Sequence, residues 1–259
     1  MKKKNITDKS KTNIIIYLLL RTLVIISLIA QGFHGNWNNV FLCVLTLILF
    51  TLPDLLSKKL SLKLPNTLEA IVYIFIFSAE ILGEIQNFYG VFPHWDTMLH
   101  TLNGFLCAAV GFSLVDLLNN NIDAIDITPA FVSLVAFCFS MTIGVFWEFV
   151  EFSIDKYLDK DMQKDQIVDK INSVKINEET SNEIVSIKNI QKAIVYTDDS
   201  SIVINDGYLD IGLYDTMKDL FVNFIGAIIF CLIGYVYIKN RDEHSFAEMF
   251  IPKVIKKIN

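Results

Sequence analysis

The amino-acid sequence predicts an all-α integral membrane protein: a bundle of about six transmembrane helices with a small, partly β, extracytoplasmic insert. Hydrophobic residues make up 53% of the 259 positions, and the mean hydropathy is +0.46, which is more apolar than an ordinary soluble domain. Charged residues, at 19%, collect at the termini, in one short loop and in one long segment, and leave several uninterrupted apolar stretches between them. Those stretches are long enough to cross a hydrocarbon core of about 30 Å.

The apolar stretches fix the order of the predicted helices. The first follows Lys2, Lys3 and Lys4 and could be the core of a signal peptide, but it is long for that role, so we expect it to be retained as a transmembrane helix. The second is the shortest, and Pro53 ends it. The six predicted helices cover residues 14–31, 37–52, 67–87, 97–118, 128–150 and 219–238.

The positions of the basic residues predict the orientation of the bundle. Lysine and arginine collect at the N-terminus, in the 53–66 loop and in the 239–257 tail, and all three places fall on one side of a six-helix path. The positive-inside rule puts that side in the cytoplasm, so we expect a multi-pass protein of the cytoplasmic membrane with both termini cytoplasmic. The three tryptophans all fall at predicted outer helix ends, where indole rings favour the headgroup region: Trp37, Trp95 and Trp147.

We divide the chain into residues 1–155 with helices 1 to 5, an extracytoplasmic insert at 156–214, and residues 215–259 with helix 6 and a cytoplasmic tail. Within the insert, the run KAIVYTDDSSIVINDGYLDIG alternates β-prone segments with turn residues and predicts a hairpin or meander. The lysine- and glutamate-rich part that precedes this run is expected to be helical or disordered.

Several common functions are excluded or left without a motif. The lysine runs are short and lack interleaved aromatic residues, so nucleic acid is not an expected partner. All four cysteines lie inside apolar stretches, which does not fit an extracytoplasmic disulfide framework. The sequence has no HExxH, CxxC, P-loop or GxSxG motif.

Polar side chains recur three or four residues apart at one end of four predicted helices, so each set shares a helix face. Because successive helices alternate in direction, these ends should all meet in the outer leaflet. A charge buried in lipid is costly unless it has a partner, so we expect the sets to form one site. They are Glu80 and Glu84 in helix 3, Asp96, His100 and Asn103 in helix 4, Glu148, Glu151 and Asp155 in helix 5, and Asp215, Asp219 and Asn223 in helix 6.

Depth along the helix suggests a role for each residue. Asp155 and Asp215 lie nearest water and are expected at a solvated edge, whereas Asp96 either caps its helix or orients the imidazole of His100. The expected catalytic residues are His100, Glu148, Glu151 and Asp219, and the expected substrate-binding residues are Asp96, Asn103, Asn223 and Glu84.

Three chemistries remain open for this set. Carboxylates with one imidazole suit Mg²⁺, Ca²⁺, Mn²⁺ or Zn²⁺, so a divalent metal ion is the candidate cofactor, with His100, Glu148 and Asp219 as its ligands. Without a metal, the carboxyl groups could share protons and serve as an acid and base pair. The third alternative is a hydrogen-bond lattice between helices that binds no ligand.

The segments WDTMLHTLNGF, FWEFVEF and YDTMKDLFVNFIGA resemble the YjdF-like family of uncharacterised bacterial membrane proteins, over residues 68–237 without the 160–210 part of the insert. More distantly, the order of polar residues is similar to that of the VanZ-like proteins associated with glycopeptide resistance. Thr97 stands where VanZ-like proteins tend to carry Lys, and Glu151 where they carry Gln, so resistance is not implied. The positions that match are Asp96, His100, Glu148, Asp219, Asn223 and Gly226.

The expected function is that of a membrane protein with an outer-leaflet acidic and histidine site, metal-dependent in one version, that acts on an envelope lipid or a lipid-linked substrate. The alternative is a non-catalytic protein that binds or transports a cation or an amphipathic ligand. A transporter should also carry polar residues in its cytoplasmic half, where Arg21 alone stands out in the sequence, so the first function is preferred. The lipid bilayer is the expected partner.

The predicted orientation can be tested with single cysteines in a background that lacks the four native ones. We expect a cysteine at Asn182 to react with a membrane-impermeant maleimide in intact cells, and one at Lys256 to react only after permeabilisation. The opposite pattern would place the predicted site in the cytoplasmic leaflet.

Overall fold

The computed structural model describes residues 10–60, 62–121, 127–177, 182–240, 246–251 and 253–254. The chain divides into two compact units. The first contains residues 1–144 and 221–259, and the second contains residues 145–220. Two long helices, Pro129–Leu158 and Leu213–Asn240, contribute residues to both units.

Helices make up most of the described chain. A two-stranded antiparallel pair, β1 (Leu62–Lys63) with β8 (Lys253–Val254), joins the segment just before Asn66 to the C-terminal tail. The α-helices are α1 (Lys11–Phe33), α2 (Trp37–Leu49), α3 (Leu52–Leu60), α4 (Asn66–Phe77), α5 (Phe88–Val91), α6 (Trp95–Asn121), α7 (Pro129–Leu158) and α8 (Leu213–Asn240), with a π-helix at Ser78–Ile85 and a 3-10 helix at Phe246–Met249.

Five helices in the described part of the chain are long and apolar enough to cross a membrane, which confirms the multi-span character predicted from the sequence. Their spans agree with five of the six predicted segments. They are Lys11–Phe33, Trp37–Lys59, Trp95–Asp116, Pro129–Leu158 and Leu213–Asn240.

The predicted helix at 67–87 differs from the other five. It is helical up to Ile85, but α4 ends at Phe77 and the chain continues as a π-helix from Ser78 to Ile85. The wider winding is visible at Gln86, whose N–H donates to the carbonyl of Ile81 at 3.0 Å. The segment is therefore not one long α-helix, and it is not among the five spans.

Two apolar clusters hold the first unit together. One joins α1, α2 and α4, where the rings of Tyr17 and Phe50 lie 5.2 and 5.7 Å from that of Tyr73. The other joins α6, α7 and α8, where Phe230 packs edge to face on Phe105 at 5.1 Å. These aromatic pairs contribute packing energy that lipid-exposed rings do not.

Helices α6 and α8 cross so closely that two glycines at the crossing have no room for a side chain. A methyl group at Gly104 would lie 2.0 Å from the carbonyl oxygen of Asn223, and one at Gly226 would lie 2.0 Å from the carbonyl oxygen of Thr101. Each glycine therefore faces the main chain of the other helix. Small residues that admit such contact are how helices associate in lipid, where apolar side chains gain nothing by leaving the solvent.

The segment between α7 and α8 is a small β insert, as predicted. The predicted hairpin is present as β5 with β6, which pair from Lys192 with Asn205 to Tyr196 with Ser201. The preceding part is not helical where it is described: it forms short strands that pair with distant residues. The strands of the insert are β2 (Gln166–Val168), β3 (Ile171–Ser173), β4 (Val185–Ile187), β5 (Lys192–Tyr196), β6 (Ser201–Asn205) and β7 (Tyr208–Asp210), paired β2 with β7, β3 with β4 and β5 with β6.

Two acidic side chains accept hydrogen bonds from the backbone at the start of the insert, within the second unit. The carboxylate of Asp155 accepts hydrogen bonds from the backbone N–H groups of Met162 at 2.6 Å and Gln163 at 2.8 Å. Asp215 accepts one from the N–H of Lys164 at 2.8 Å. Asp215 is buried, so the expectation of a solvated edge is wrong for this residue; it forms part of the protein's own hydrogen bonding.

The α6–α8 crossing predicts a large difference between two glycine substitutions. Gly104→Ala should lower the free energy of unfolding by about 3 kcal/mol, the upper range for overpacking, because the new methyl group meets backbone that cannot move alone. Gly32→Ala is the matched control, since nothing lies within 4 Å of a methyl group there. Thermal unfolding in detergent should separate the two variants, and equal melting temperatures would contradict the crossing.

The pairing of β2 with β7 predicts that strands β2 to β7 can be deleted without unfolding the rest of the protein. Gln166 and Asp210 are Cα partners, so the ends of the excised segment 166–210 lie side by side and a short Gly-Ser linker can join them. The shortened protein should remain membrane-inserted and monodisperse by size exclusion. A control that also removes residues 162–165 loses the Asp155 and Asp215 hydrogen bonds and should be less stable. Aggregation of the first variant would show that the strands are needed for folding.

Candidate functional site

The side chains of Asp96 and His100 lie against each other at the start of α6. The imidazole Nε2 lies 3.3 Å from Asp96 Oδ1, and the side chains are 11% and 24% exposed for His100 and Asp96. Four-residue spacing on an α-helix brings the two together, as the sequence predicted. The Asp96 carboxylate therefore sets the orientation of the ring. The positive end of the α6 dipole stabilises the negative charge of that carboxylate.

The backbone before this pair is unusual. His94, the residue before α6, has a φ of 67°, and its carbonyl accepts the N–H of Met98 at 2.9 Å. A left-handed conformation is uncommon for a residue other than glycine. It turns the chain from Pro93 into α6, so that Asp96 and His100 enter on one helix face.

One turn deeper, two amides join α6 to α8. Asn103 Nδ2 donates to Asn223 Oδ1 at 3.2 Å, and Asn223 is only 1% exposed. A third helix supports the same amide, because Asn223 Nδ2 lies 3.7 Å from the sulfur of Met141 and a methyl group at Gly144 would lie 2.8 Å from that nitrogen. Buried amides with such specific surroundings fix the rotation of all three helices.

The predicted acids of α7 and of the start of α8 lie in the second unit. Glu148, Glu151 and Asp219 are all buried, and Trp147 Nε1 donates to Glu151 Oε1 at 2.7 Å. Lys218 is the nearby cation: its ammonium lies 3.7 Å from Asp219 and 3.4 Å from Asp215. The cation offsets part of the cost of burying these carboxylates.

The eight predicted site residues thus fall into two groups. Glu84, Asp96, His100, Asn103 and Asn223 lie in the first unit, while Glu148, Glu151 and Asp219 lie in the second. The structure brings Asp96 to His100 and Asn103 to Asn223. A single site formed by all eight residues stays a prediction.

Glu84 differs from the other predicted site residues because it is exposed. It lies in the π-helix with the half-buried Glu80, and the glycine between them packs on an aromatic ring: a methyl group at Gly83 would lie 2.3 Å from Tyr89. Its role in substrate binding stays a prediction.

The structure contains a buried polar network that sequence reasoning missed. Asn13 Nδ2 donates to Glu69 Oε2 at 3.0 Å and to the carbonyl of Asn66 at 2.8 Å, and the hydroxyl of Tyr73 donates to Glu69 Oε1 at 3.0 Å. Glu69 is 6% exposed. In the sequence it looked like an ordinary acid in the first turn of a helix, where a carboxylate needs no further explanation. Asp116, near the end of α6, is also buried and was missed, although it lies inside the predicted span 97–118.

This network corrects one argument made from the sequence. The cytoplasmic half was expected to be nearly free of polar groups apart from Arg21. If the predicted orientation holds, Asn13, Glu69 and Asp116 belong to that half and are all buried. The preference against transport therefore loses its support.

The chain resembles proteins whose functions are not established. An uncharacterised protein of Thermotoga maritima is 28% identical over 106 residues, which are 41% of this chain and 53% of the relative. The chain therefore matches about half the length of that relative. No solved structure matches the chain significantly.

Neither the Thermotoga maritima relative nor the family model that matches this chain supports the distant resemblance to VanZ-like proteins. The family model described as "Predicted membrane protein (DUF2238)" matches residues 14–240. That range holds every predicted site residue and, among the described residues, all five candidate spans except the first three residues of Lys11–Phe33. The chain belongs to this family of predicted membrane proteins.

Proposed function

We propose that this membrane protein carries a polar site in the outer leaflet, centred on His100, that acts on an envelope lipid or a lipid-linked substrate. The observation that carries the proposal is the Asp96–His100 pair, an oriented imidazole at the start of a predominantly apolar span. Ionisable groups are rare in such a setting and usually functional, because each costs free energy that packing alone does not return. We also propose the YjdF-like assignment within the family, on the segments WDTMLHTLNGF, FWEFVEF and YDTMKDLFVNFIGA.

The roles follow from chemistry and position. His100 is the group that accepts or donates a proton, or that ligates a metal, and Asp96 is the residue that orients it. Asn103 and Asn223 offer amide groups for a polar headgroup one turn deeper. Glu148 and Asp219 supply further carboxylates, with Glu151 at the edge.

The donor set fits a hard divalent cation or Zn²⁺, with His100, Glu148 and Asp219 as ligands. What supports Asp219 is the continuity of α8: Asp219 precedes Asn223 by about one turn of the same helix, and Asn223 contacts Asn103 on α6, about one turn beyond His100. A bound cation would polarise a phosphate or ester oxygen of the substrate and would lower the pKa of a bound water.

The hydrogen-bond network of Asn13, Glu69 and Tyr73 supports a second candidate function. A protein that moves a proton or cation across the bilayer needs buried ionisable groups near both faces. The first unit has a buried carboxylate at Glu69 as well as the pair at His100. Transport or binding of a cation or amphipathic ligand is therefore the alternative.

Substitution of His100 and Asp219 tests the common site. If a cation binds, adding it at about 100 times its Kd should stabilise the protein by about 2.7 kcal/mol, a rise of several degrees in Tm. His100→Ala and Asp219→Asn should each abolish that rise, because loss of either ligand opens the same shell. The measurement is thermal unfolding after chelator treatment, with Zn²⁺, Mn²⁺ and Mg²⁺ added separately, alongside elemental analysis of purified protein.

The control is His34→Ala, which removes an exposed imidazole at the end of α1 and should keep the full response. If no cation stabilises the wild type, the double variant decides between the remaining chemistries. Coupled losses support proton sharing within one site, whereas additive losses show that His100 and Asp219 act separately and refute the common site.

Action on a lipid is tested with the same variants in cells. Wild-type protein, but not His100→Ala, should change the abundance of at least one envelope lipid or lipid-linked precursor, as measured by mass spectrometry of extracts from cells with equal protein levels. Identical profiles, together with His100-dependent movement of protons or cations into vesicles, would establish the transport alternative instead.

A further inference from the structure

Near the start of α8, in the second unit, Lys218 lies between two buried carboxylates. Its ammonium is 3.4 Å from Asp215 Oδ1 and 3.7 Å from Asp219 Oδ1. The lysine side chain is 40% exposed, whereas those of Asp215 and Asp219 are 6% and 2% exposed. One mobile positive charge is therefore shared by two fixed negative charges, and one of these, Asp219, is a proposed ligand of the cation.

The two contacts of Lys218 are unequal. The ammonium donates a hydrogen bond to Asp215, while its distance to Asp219 is beyond hydrogen-bond length. Helix geometry explains the difference. Asp215 precedes Lys218 by three residues and shares its face, and long side chains on a helix lean towards the N-terminus. Asp219 is the next residue, about 100° around the helix, so Lys218 reaches it only through its flexible stem. The contact with Asp219 is therefore the easier one to break.

The insert holds Asp215 in place. Asp215 Oδ2 accepts the backbone N–H of Lys164 at 2.8 Å, and the neighbouring Thr216 Oγ1 accepts Gln163 Nε2 at 2.5 Å. Each oxygen of the Asp215 carboxylate thus has its own partner, Lys164 on one side and Lys218 on the other. Because a rotation of this carboxylate would cost a hydrogen bond, Asp215 is a fixed anchor for the ammonium.

An ion that binds Asp219 must contend with the charge of Lys218. Two positive charges on the same buried carboxylate repel each other far more strongly than they would in water. A divalent ion at Asp219 therefore requires the ammonium to withdraw. Lys218 can withdraw without being left unpaired, because Asp215 already holds it and its side chain is partly exposed.

We propose that Lys218 competes with the bound cation for Asp219, and that Asp215 is the positioning residue that holds the ammonium when the cation displaces it. This inference rests on the proposed function, in which Asp219 is a cation ligand. Lys218 then lowers the affinity for the cation, while Asp215 raises that affinity by giving Lys218 another partner. The two residues have opposite effects on the same equilibrium although they form an ion pair with each other.

Substitutions of opposite sign test the proposal. Lys218→Met removes the charge and keeps an unbranched side chain, so the variant should bind the cation about tenfold more tightly, which is about 1.4 kcal/mol. Asp215→Asn should bind it about tenfold more weakly, because Asp219 is then the carboxylate left to Lys218. Affinity is measured on the purified full-length protein by competition with a fluorescent chelator, with Mn²⁺ and Zn²⁺ titrated separately.

A double variant shows whether Asp215 acts through Lys218. In the Lys218→Met background, Asp215→Asn should change the affinity by no more than about twofold, the range of additivity between independent sites. The matched control is Lys164→Met. It removes another partly exposed lysine charge of the second unit, one that pairs with Asp161 at 3.8 Å, and it keeps the backbone N–H that Asp215 accepts. This control should bind the cation as the wild type does.

A purely structural role for Lys218 would lower the melting temperature of Lys218→Met and leave its affinity for the cation equal to or weaker than that of the wild type. That result would overturn the proposal, as would unchanged affinity in Asp215→Asn, which decides alone if Lys218→Met does not fold. A full tenfold loss from Asp215→Asn in the Lys218→Met background would also overturn it, because Asp215 would then act directly.

His100→Ala separates this proposal from the proposed function. If Lys218→Met binds tightly and still does so after the loss of His100, the competition by Lys218 stands and the common site is refuted. If the wild type binds a cation through His100 but Lys218→Met binds it no more tightly, only the competition is refuted. If neither the wild type nor Lys218→Met binds Mn²⁺ or Zn²⁺, both the cation site and the competition are refuted.

Discussion

The backbone contact between α6 and α8 is the constraint on which the rest of the first unit depends. In lipid, moving a leucine or phenylalanine side chain into a helix contact gains no hydrophobic free energy. Association therefore relies on close packing and on a few hydrogen bonds. Gly104 and Gly226 provide the packing, and the amides of Asn103 and Asn223 provide the hydrogen bond beside it. Together they fix the depth and rotation of both helices, and thereby the direction in which His100 points.

Polar groups are tolerated within the apolar helices because each of them has a partner. A buried carboxylate in a bilayer must have donors or a cation near it, and the structure uses both solutions. Glu69 receives hydrogen bonds from neutral donors, an amide and a phenol, whereas Asp219 has the ammonium of Lys218 near it. The Asp96–His100 pair is a third solution, in which the partner of the carboxylate can itself gain or lose a proton.

Sequence patterns predicted what is local and missed what depends on distant partners. Apolar length located the spans, and four-residue spacing brought Asp96 to His100, because both follow from the geometry of a single helix. Glu69 was missed because its partner Asn13 lies 56 residues away on another helix. The short strand β3 was missed for a related reason: three residues of mixed polarity carry no period, and only pairing with β4 makes them a strand.

The π-helix at Ser78–Ile85 has a consequence for how the family can vary. In an α-helix, insertion or deletion of one residue rotates everything beyond it by about 100° and would turn a buried face towards lipid. A π-helix already contains such an extra residue, accommodated locally by wider hydrogen bonding. Loss of one residue here could be absorbed by rewinding to an α-helix, with both flanking faces kept in place. A one-residue difference in length within Ser78–Ile85 would therefore leave the orientation of the flanking helices unchanged.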